Sequence, residues 1–186
     1  MKGIFTGLSE ELKDRGTVVI IFEAFFSLLL FFIAIIGNSC VLLAVYRNAQ
    51  LRTIPNLFVA ALAISDILLP LMCAPQTIAT IVLGRWPFSH DACQAQGYFV
   101  ITLACASFQI LTLTALNRFY RIVRTTHYRS TFTKKKTIIM IALCSGLACF
   151  EPIPYLLSGK RYVFHPGKAF CVQAKDISFP NLLTGI

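Results

Sequence analysis

The sequence predicts an all-α membrane fold, a polytopic bundle of transmembrane helices joined by short polar connections. Three observations carry that prediction. Of 186 residues, 56% are hydrophobic and only 13% are charged, with a mean hydropathy of +0.71; a soluble domain carries about 25% charged residues. The apolar residues fall in long runs, and crossing a membrane as a helix takes about 20 residues. The 17 Lys and Arg residues, which set a net charge of +9, lie mostly in the gaps between those runs, as they do in polytopic membrane proteins. The same distribution argues against nucleic acid as a partner, because no basic stripe is interleaved with a soluble fold.

In chain order, residues 1–16 read as a short polar segment of mixed charge. Thr17 to Tyr46 reads as the first span; it is too long for a cleaved signal peptide and lacks a small-residue cleavage site, so it acts as its own anchor. Asn38 lies deep in this span. An amide in hydrocarbon has no water to bond, so a link to a neighbouring helix is the preferred reading over a bond to its own backbone. Residues 54–83 form the second span, with Asp66 near its middle. A carboxylate there is functional by default, and burial would raise its pKa. Pro70 and Pro75 are expected to kink this helix.

The loop GRWPFSHDA holds Trp86, the one tryptophan, whose ring suits a membrane interface. The third span, residues 92–122, carries Cys93, Gly97, Val100, Ala104, Ser107, Leu111, Thr114 and Arg118 at alternating steps of four and three. These residues share one helix face, and its small members let other helices approach closely. Cys93 and Arg118 are 25 positions apart, roughly 38 Å of helix, which exceeds a hydrocarbon core of about 30 Å. They are therefore expected on opposite sides of the membrane. A basic connection with no acid follows, containing Arg121, Arg124, Arg129 and Lys134 to Lys136. The fourth span, residues 137–157, is ended or kinked by Pro152 and Pro154. Ser158 to Asp176 reads as a polar loop, and Ile177 to Ile186 as the incomplete opening of a fifth span.

The seven cysteines form no C-x-x-C pair and no zinc spacing. Five lie inside apolar runs, where cysteine is usually an inert packing residue. Only Cys93 and Cys171 lie in polar gaps and qualify as disulfide partners. A bridge between them would contribute about 4 kcal/mol in the chain-entropy model. Lys and Arg counts on the two sides of the membrane are nearly tied. The basic residues of one side are packed into two short connections, and paired cysteines need an oxidising compartment. Both place the amino terminus outside.

Taken together, these residues resemble the rhodopsin-like (class A) family of G protein-coupled receptors. The resemblance rests on Gly37-Asn38 in the first helix, Leu62 with Asp66 in the second, and the Trp86 loop. It continues with Cys93 opening the third helix, Arg118 closing it, and Cys171 in the loop after the fourth. It covers nearly the whole chain from about Phe22. It implies a seven-helix fold, here truncated near the start of helix five, in the plasma membrane. It implies a heterotrimeric G protein as partner, an unknown extracellular ligand, and membrane lipid around the bundle. Cys93 and Cys171 correspond to the extracellular disulfide. Asn117 and Arg118 correspond to the G-protein switch. Asn38, Asp66 and Ser107 correspond to a polar cluster that holds an allosteric sodium ion; no other metal or cofactor is implied. Gln76, Gln96, Val100, Ile101 and Ala104 lie where ligand-pocket residues are commonly found.

Departures from the family pattern carry expectations of their own. Asn117 stands where the family has an acid, giving NRF; melatonin receptors resemble this with NRY and share a tyrosine matched by Tyr128. Loss of that acid predicts a looser inactive state. Ser145 occupies about the place of the usual helix-four tryptophan. Val100 stands where amine receptors carry an aspartate, so a monoamine ligand is disfavoured. The reading that follows is a receptor fragment, not an enzyme. The alternatives are a truncated, non-signalling receptor variant and a small transporter using Asp66 as a proton carrier. Against the transporter, the two halves show no inverted repeat.

Overall fold

A computed structural model describes residues 2–174, with side chains from Gly7 onward. The fifth-span reading at 177–186 lies outside the described residues. The elements are α1 (Lys2–Lys13), α2 (Thr17–Arg47), α3 (Ile54–Leu83), α4 (His90–Ile122), α5 (Thr125–Thr131), α6 (Lys134–Phe150) and α7 (Ile153–Leu157), followed by β1 (Tyr162–His165) and β2 (Phe170–Gln173). Four helical stretches are long and apolar enough to cross a membrane: Thr17–Arg47, Ile54–Leu83, His90–Ile122 and Lys134–Leu157. The architecture is a polytopic helical membrane fold, as the hydropathy pattern predicts.

Local chemistry explains most of the boundaries. α3 continues through Pro70 and Pro75 and stops at Leu83, where Gly84 takes a left-handed φ of 64°. Glycine reaches that conformation without a Cβ penalty, which makes it a good helix terminator. α6 begins where the Thr133 side chain accepts the Lys136 N–H, satisfying one open donor of the first turn. It ends at Phe150, just before Pro152, which has no N–H for the helix ladder.

Three elements are absent from the sequence reading. Residues 2–13, read as a polar segment, form α1. Residues 125–131, inside the basic connection, form the short α5. The loop read at 158–176 folds into an antiparallel hairpin, with Tyr162 opposite Gln173 and His165 opposite Phe170. Its strands, YVFH and FCVQ, are rich in aromatic and β-branched side chains. The turn at Pro166–Lys168 closes through Ala169, whose N–H donates to the His165 carbonyl at 3.0 Å.

Two compact units divide the described residues. The first draws on the chain up to Phe32, on Pro70–Val100 and on the chain from Ile153 onward; the second comprises Ile33–Leu69 and Ile101–Pro152. In the first, Arg15 ties α1 down. Its Nε donates to the Leu12 carbonyl at 3.1 Å, one Nη donates to the Ile81 carbonyl of α3 at 3.0 Å, and the other pairs with Glu23 of α2. In the second, Phe58, Ile110 and Phe132 form a buried core, with Leu62, Leu113 and Tyr120 packed around it. α2 buries none of its residues, and Phe22, Phe25, Phe32 and Ile36 are each at least half exposed. Water would penalise such a surface, whereas hydrocarbon accepts it.

Candidate functional site

The second unit organises the end of α4 around Asn117. Asn117 is 1% exposed, and its Nδ2 donates to the Tyr128 hydroxyl of α5 at 3.4 Å. The Tyr128 ring stacks on Phe132 at 5.7 Å, and Phe132 meets Tyr120 edge-on at the same separation. Phe132 in turn enters the core with Phe58 and Ile110. Burial of Phe132 thus fixes α5, α5 presents Tyr128, and Tyr128 receives the amide. Asn117 and Tyr128, two residues of the sequence motif, meet directly. Arg118 faces the other way. It is exposed, and its guanidinium has no hydrogen bond or ion pair among the described residues. A small cavity of about 310 Å³ where α4 gives way to α5 is lined by Phe119, Tyr120, Arg124, His127 and Thr131.

The sodium-like cluster is not joined by hydrogen bonds among the described residues. Asn38 is half-buried, and its Nδ2 donates to the Ala34 carbonyl of its own helix at 2.9 Å. The preferred interhelical link for this amide is therefore corrected to a local bond: the carbonyl four residues back is the nearest acceptor along a helix. Among the described residues Asp66 is exposed and Ser107 is half-buried.

In the first unit, the opening of α4 meets the hairpin. Cys93 and Cys171 form a disulfide with a Cα separation of 5.6 Å, joining positions 78 apart in sequence. Gln94 Nε2 donates to the Tyr162 carbonyl at 2.7 Å, while its Oε1 accepts the Tyr162 N–H at 3.0 Å. Gln96 is 1% exposed. Its Oε1 accepts the Cys171 N–H at 2.9 Å, and its Nε2 donates to the Cys73 carbonyl at 3.4 Å. Gln96 thus braces β2 against α3, with both its amide oxygen and its amide nitrogen bonded. Trp86 packs against Phe88 and, at 5.5 Å, against Phe164 of β1. Tyr155 does further hairpin work, donating its hydroxyl proton to the Arg161 carbonyl and accepting the Ala174 N–H.

The other ligand-pocket candidates are less committed. Gln76 is half-buried and its Oε1 is buried without a hydrogen bond among the described residues. Val100, Ile101 and Ala104 are half-buried. A groove of about 500 Å³ opens between α1, α2 and the hairpin turn, bordered by Leu8, Glu11, Phe22, Glu23 and Lys168.

Sequence reasoning passed over two acids at span ends, and both are paired. Glu23 meets Arg15. Glu151 accepts Gln109 Nε2 at 2.5 Å, bordering a second, mostly apolar groove of about 550 Å³. An ionisable residue near the end of an apolar run was the available signal. Among the described residues, no group of three or more His, Cys, Asp or Glu could hold a metal.

Residues 37–182 match the family described as 7 transmembrane receptor (rhodopsin family). The allatostatin-A receptor of Bombyx mori is 34% identical over 173 residues, which is 91% of this chain and 47% of that receptor. Neuropeptide FF receptor 1 of Homo sapiens is 30% identical over 154 residues, covering 82% of this chain and 34% of that receptor. Octopamine receptor beta-2R of Drosophila melanogaster is 34% identical over 139 residues, covering 73% of this chain and 26% of that receptor. The chain thus spans about half, or less, of the relatives it matches. Four apolar helices, a disulfide from the head of the third to the following hairpin, an arginine at its tail and a match over most of the sequence agree: the chain belongs to the rhodopsin family of seven-transmembrane receptors.

Proposed function

We propose that this chain supplies the first four spans, and the opening of the fifth, of a G protein-coupled receptor that senses an extracellular ligand. The observation that carries the reading is the division of labour between Asn117 and Arg118. Asn117 is buried and engaged with Tyr128, while Arg118 is exposed and uncommitted. A cation held on a packed helix end, and spent on no internal pair, is available to an acidic or carbonyl-rich partner such as a G-protein α-subunit tail. Coupling then proceeds by a shift in helix packing, which ligand and G protein each bias by differential affinity. Residues 1–16 would lie outside and the basic connections inside, at the plasma membrane. The acid-free run of Arg and Lys around α5 supports that orientation, and the Cys93–Cys171 bridge supports an oxidising environment for the hairpin.

The test uses the full-length receptor carrying this chain, reconstituted in nanodiscs with purified heterotrimeric G protein. Arg118→Ala is expected to slow receptor-stimulated nucleotide exchange by about tenfold or more, equivalent to about 1.4 kcal/mol. Exchange at the unmodified rate would remove Arg118 from the coupling surface.

For the ligand, a peptide is the better-supported class. Of the relatives above, one is named for a neuropeptide, one for allatostatin-A and one for octopamine. Val100 offers no carboxylate to an amine, and the groove beside α1 is open and mixed in polarity, as a peptide would need. Asn38, Asp66 and Ser107 remain the proposed sodium cluster. The Asp66 carboxylate has no partner among the described residues, which leaves it free for a cation. Asp66→Asn should abolish any effect of sodium on agonist affinity; an undiminished sodium effect would sink the assignment.

A further inference from the structure

The opening of α4 engages the hairpin at four of five consecutive positions, and only one contact is covalent. Cys93 carries the disulfide to β2. Gln94 pairs its amide with both backbone polar groups of Tyr162, at 2.7 and 3.0 Å. It thereby occupies the edge of β1 as the peptide unit of a third strand would, which satisfies groups that an edge otherwise leaves open. Gln96 takes the Cys171 N–H of β2 at 2.9 Å while holding the Cys73 carbonyl of α3. At Gly97 the Tyr162 ring lies so close that an added Cβ would come within 2.4 Å of it. Both strands are therefore gripped, one by each glutamine, and Tyr162 is 1% exposed.

We infer that Gln94 and Gln96 form an amide clasp that holds the β1–β2 hairpin on α4 independently of the disulfide. The two devices act on different states. A cross-link acts mainly by restricting the unfolded chain, whereas the glutamines act on the folded hairpin, fixing its register on the helix through directional bonds in a buried setting. The clasp makes the hairpin a fixed wall and not a lid. Gln94 and Gln96 are positioning residues. In the receptor proposed above, that wall would border the ligand entrance; this consequence rests on the receptor reading, but the clasp does not, and hydrogen exchange tests it separately.

The experiment compares amide exchange across Tyr162–Gln173 in the full-length protein in nanodiscs at neutral pH. Cys93→Ser with Cys171→Ser is expected to leave hairpin protection within about tenfold of the unmodified protein. Adding Gln94→Glu keeps size and acceptor but sets a second acceptor against the Tyr162 carbonyl. It should accelerate exchange by about a further tenfold, as loss of one well-placed hydrogen bond would, with α6 amides unchanged. Acidification should restore protection in this variant, because a protonated carboxyl regains a donor, whereas a general loss of folding would not recover. Gln96→Leu provides an independent arm: it removes the acceptor of the residue-171 N–H and is expected to deprotect that amide. The proposal is overturned if removing the cysteines alone brings the hairpin to the exchange rate of an unstructured peptide. It is equally overturned if neither glutamine substitution changes exchange in the cysteine-free protein.

Discussion

The hairpin region and the Asn117 region solve one problem, fixing a polar connection to α4, in opposite ways. The hairpin is held by residues 68, 75 and 78 positions away from their partners on α4, through amide-to-backbone bonds and a disulfide. The α5 connection is held by neighbours: Asn117 and Tyr128 are 11 apart, and Phe132 anchors the segment by burial. Closing a long loop costs more chain entropy than closing a short one. A distant segment therefore needs directional or covalent fixation, while a near one can rely on packing. The functional difference follows. The hairpin is locked, whereas α5 meets α4 through one side-chain hydrogen bond of 3.4 Å and the aromatic packing of Tyr128, Phe132 and Tyr120, contacts that can be remade during a packing shift.

That contrast can be broken most directly in the aromatic core. Phe132→Ala is expected to cost about 3–5 kcal/mol, the usual range for a buried phenylalanine. It should release α5, seen as a lower melting temperature and deprotected amides at Thr125–Thr131, with the hairpin unaffected. Loss of hairpin protection as well would dissolve the contrast. Gly97→Ala is expected to cost about 1–3 kcal/mol by overpacking against Tyr162. Exchange across Tyr162–Gln173 should rise while α5 stays protected; unchanged exchange would show that the ring has room to move. Tyr128→Phe should have the smallest effect. It leaves the buried Asn117 amide short of one partner, at about 1 kcal/mol. Because the stack with Phe132 survives, basal nucleotide exchange should rise with little change in melting temperature. An equal fall in melting temperature would make the bond structural and not a switch.

Much of this was legible before any coordinates. Apolar runs delimit α2, α3, α4 and α6 because a hydrocarbon core demands about 20 residues per crossing and internally satisfied backbones. Cys93 and Cys171 could be matched because every other cysteine lies in an apolar run. The clasp was not legible. Gln94 reads as an ordinary polar residue near a helix start, and its partner is a backbone, which has no sequence signature. Gln96 was placed among pocket residues, and that its amide joins β2 to α3 had no sequence signal. The hairpin did leave a trace, in YVFH and FCVQ flanking Pro166-Gly167, but four-residue strands are easily read as loop. α1 left another in Leu8 and Leu12, four apart on one face.

By itself the sequence determined the class of molecule, its spans and its cysteine pair, since hydropathy and compartment chemistry act on composition and need no partner coordinates. Tertiary structure alone decided which polar side chains are spent and which are free. It engaged Gln94, Gln96 and Asn117, turned Asn38 back on its own helix, and left Arg118 and Asp66 without a partner among the described residues. A hydrogen bond is a matter of distance and angle between groups that chain order does not bring together, so its existence is settled only when the fold is.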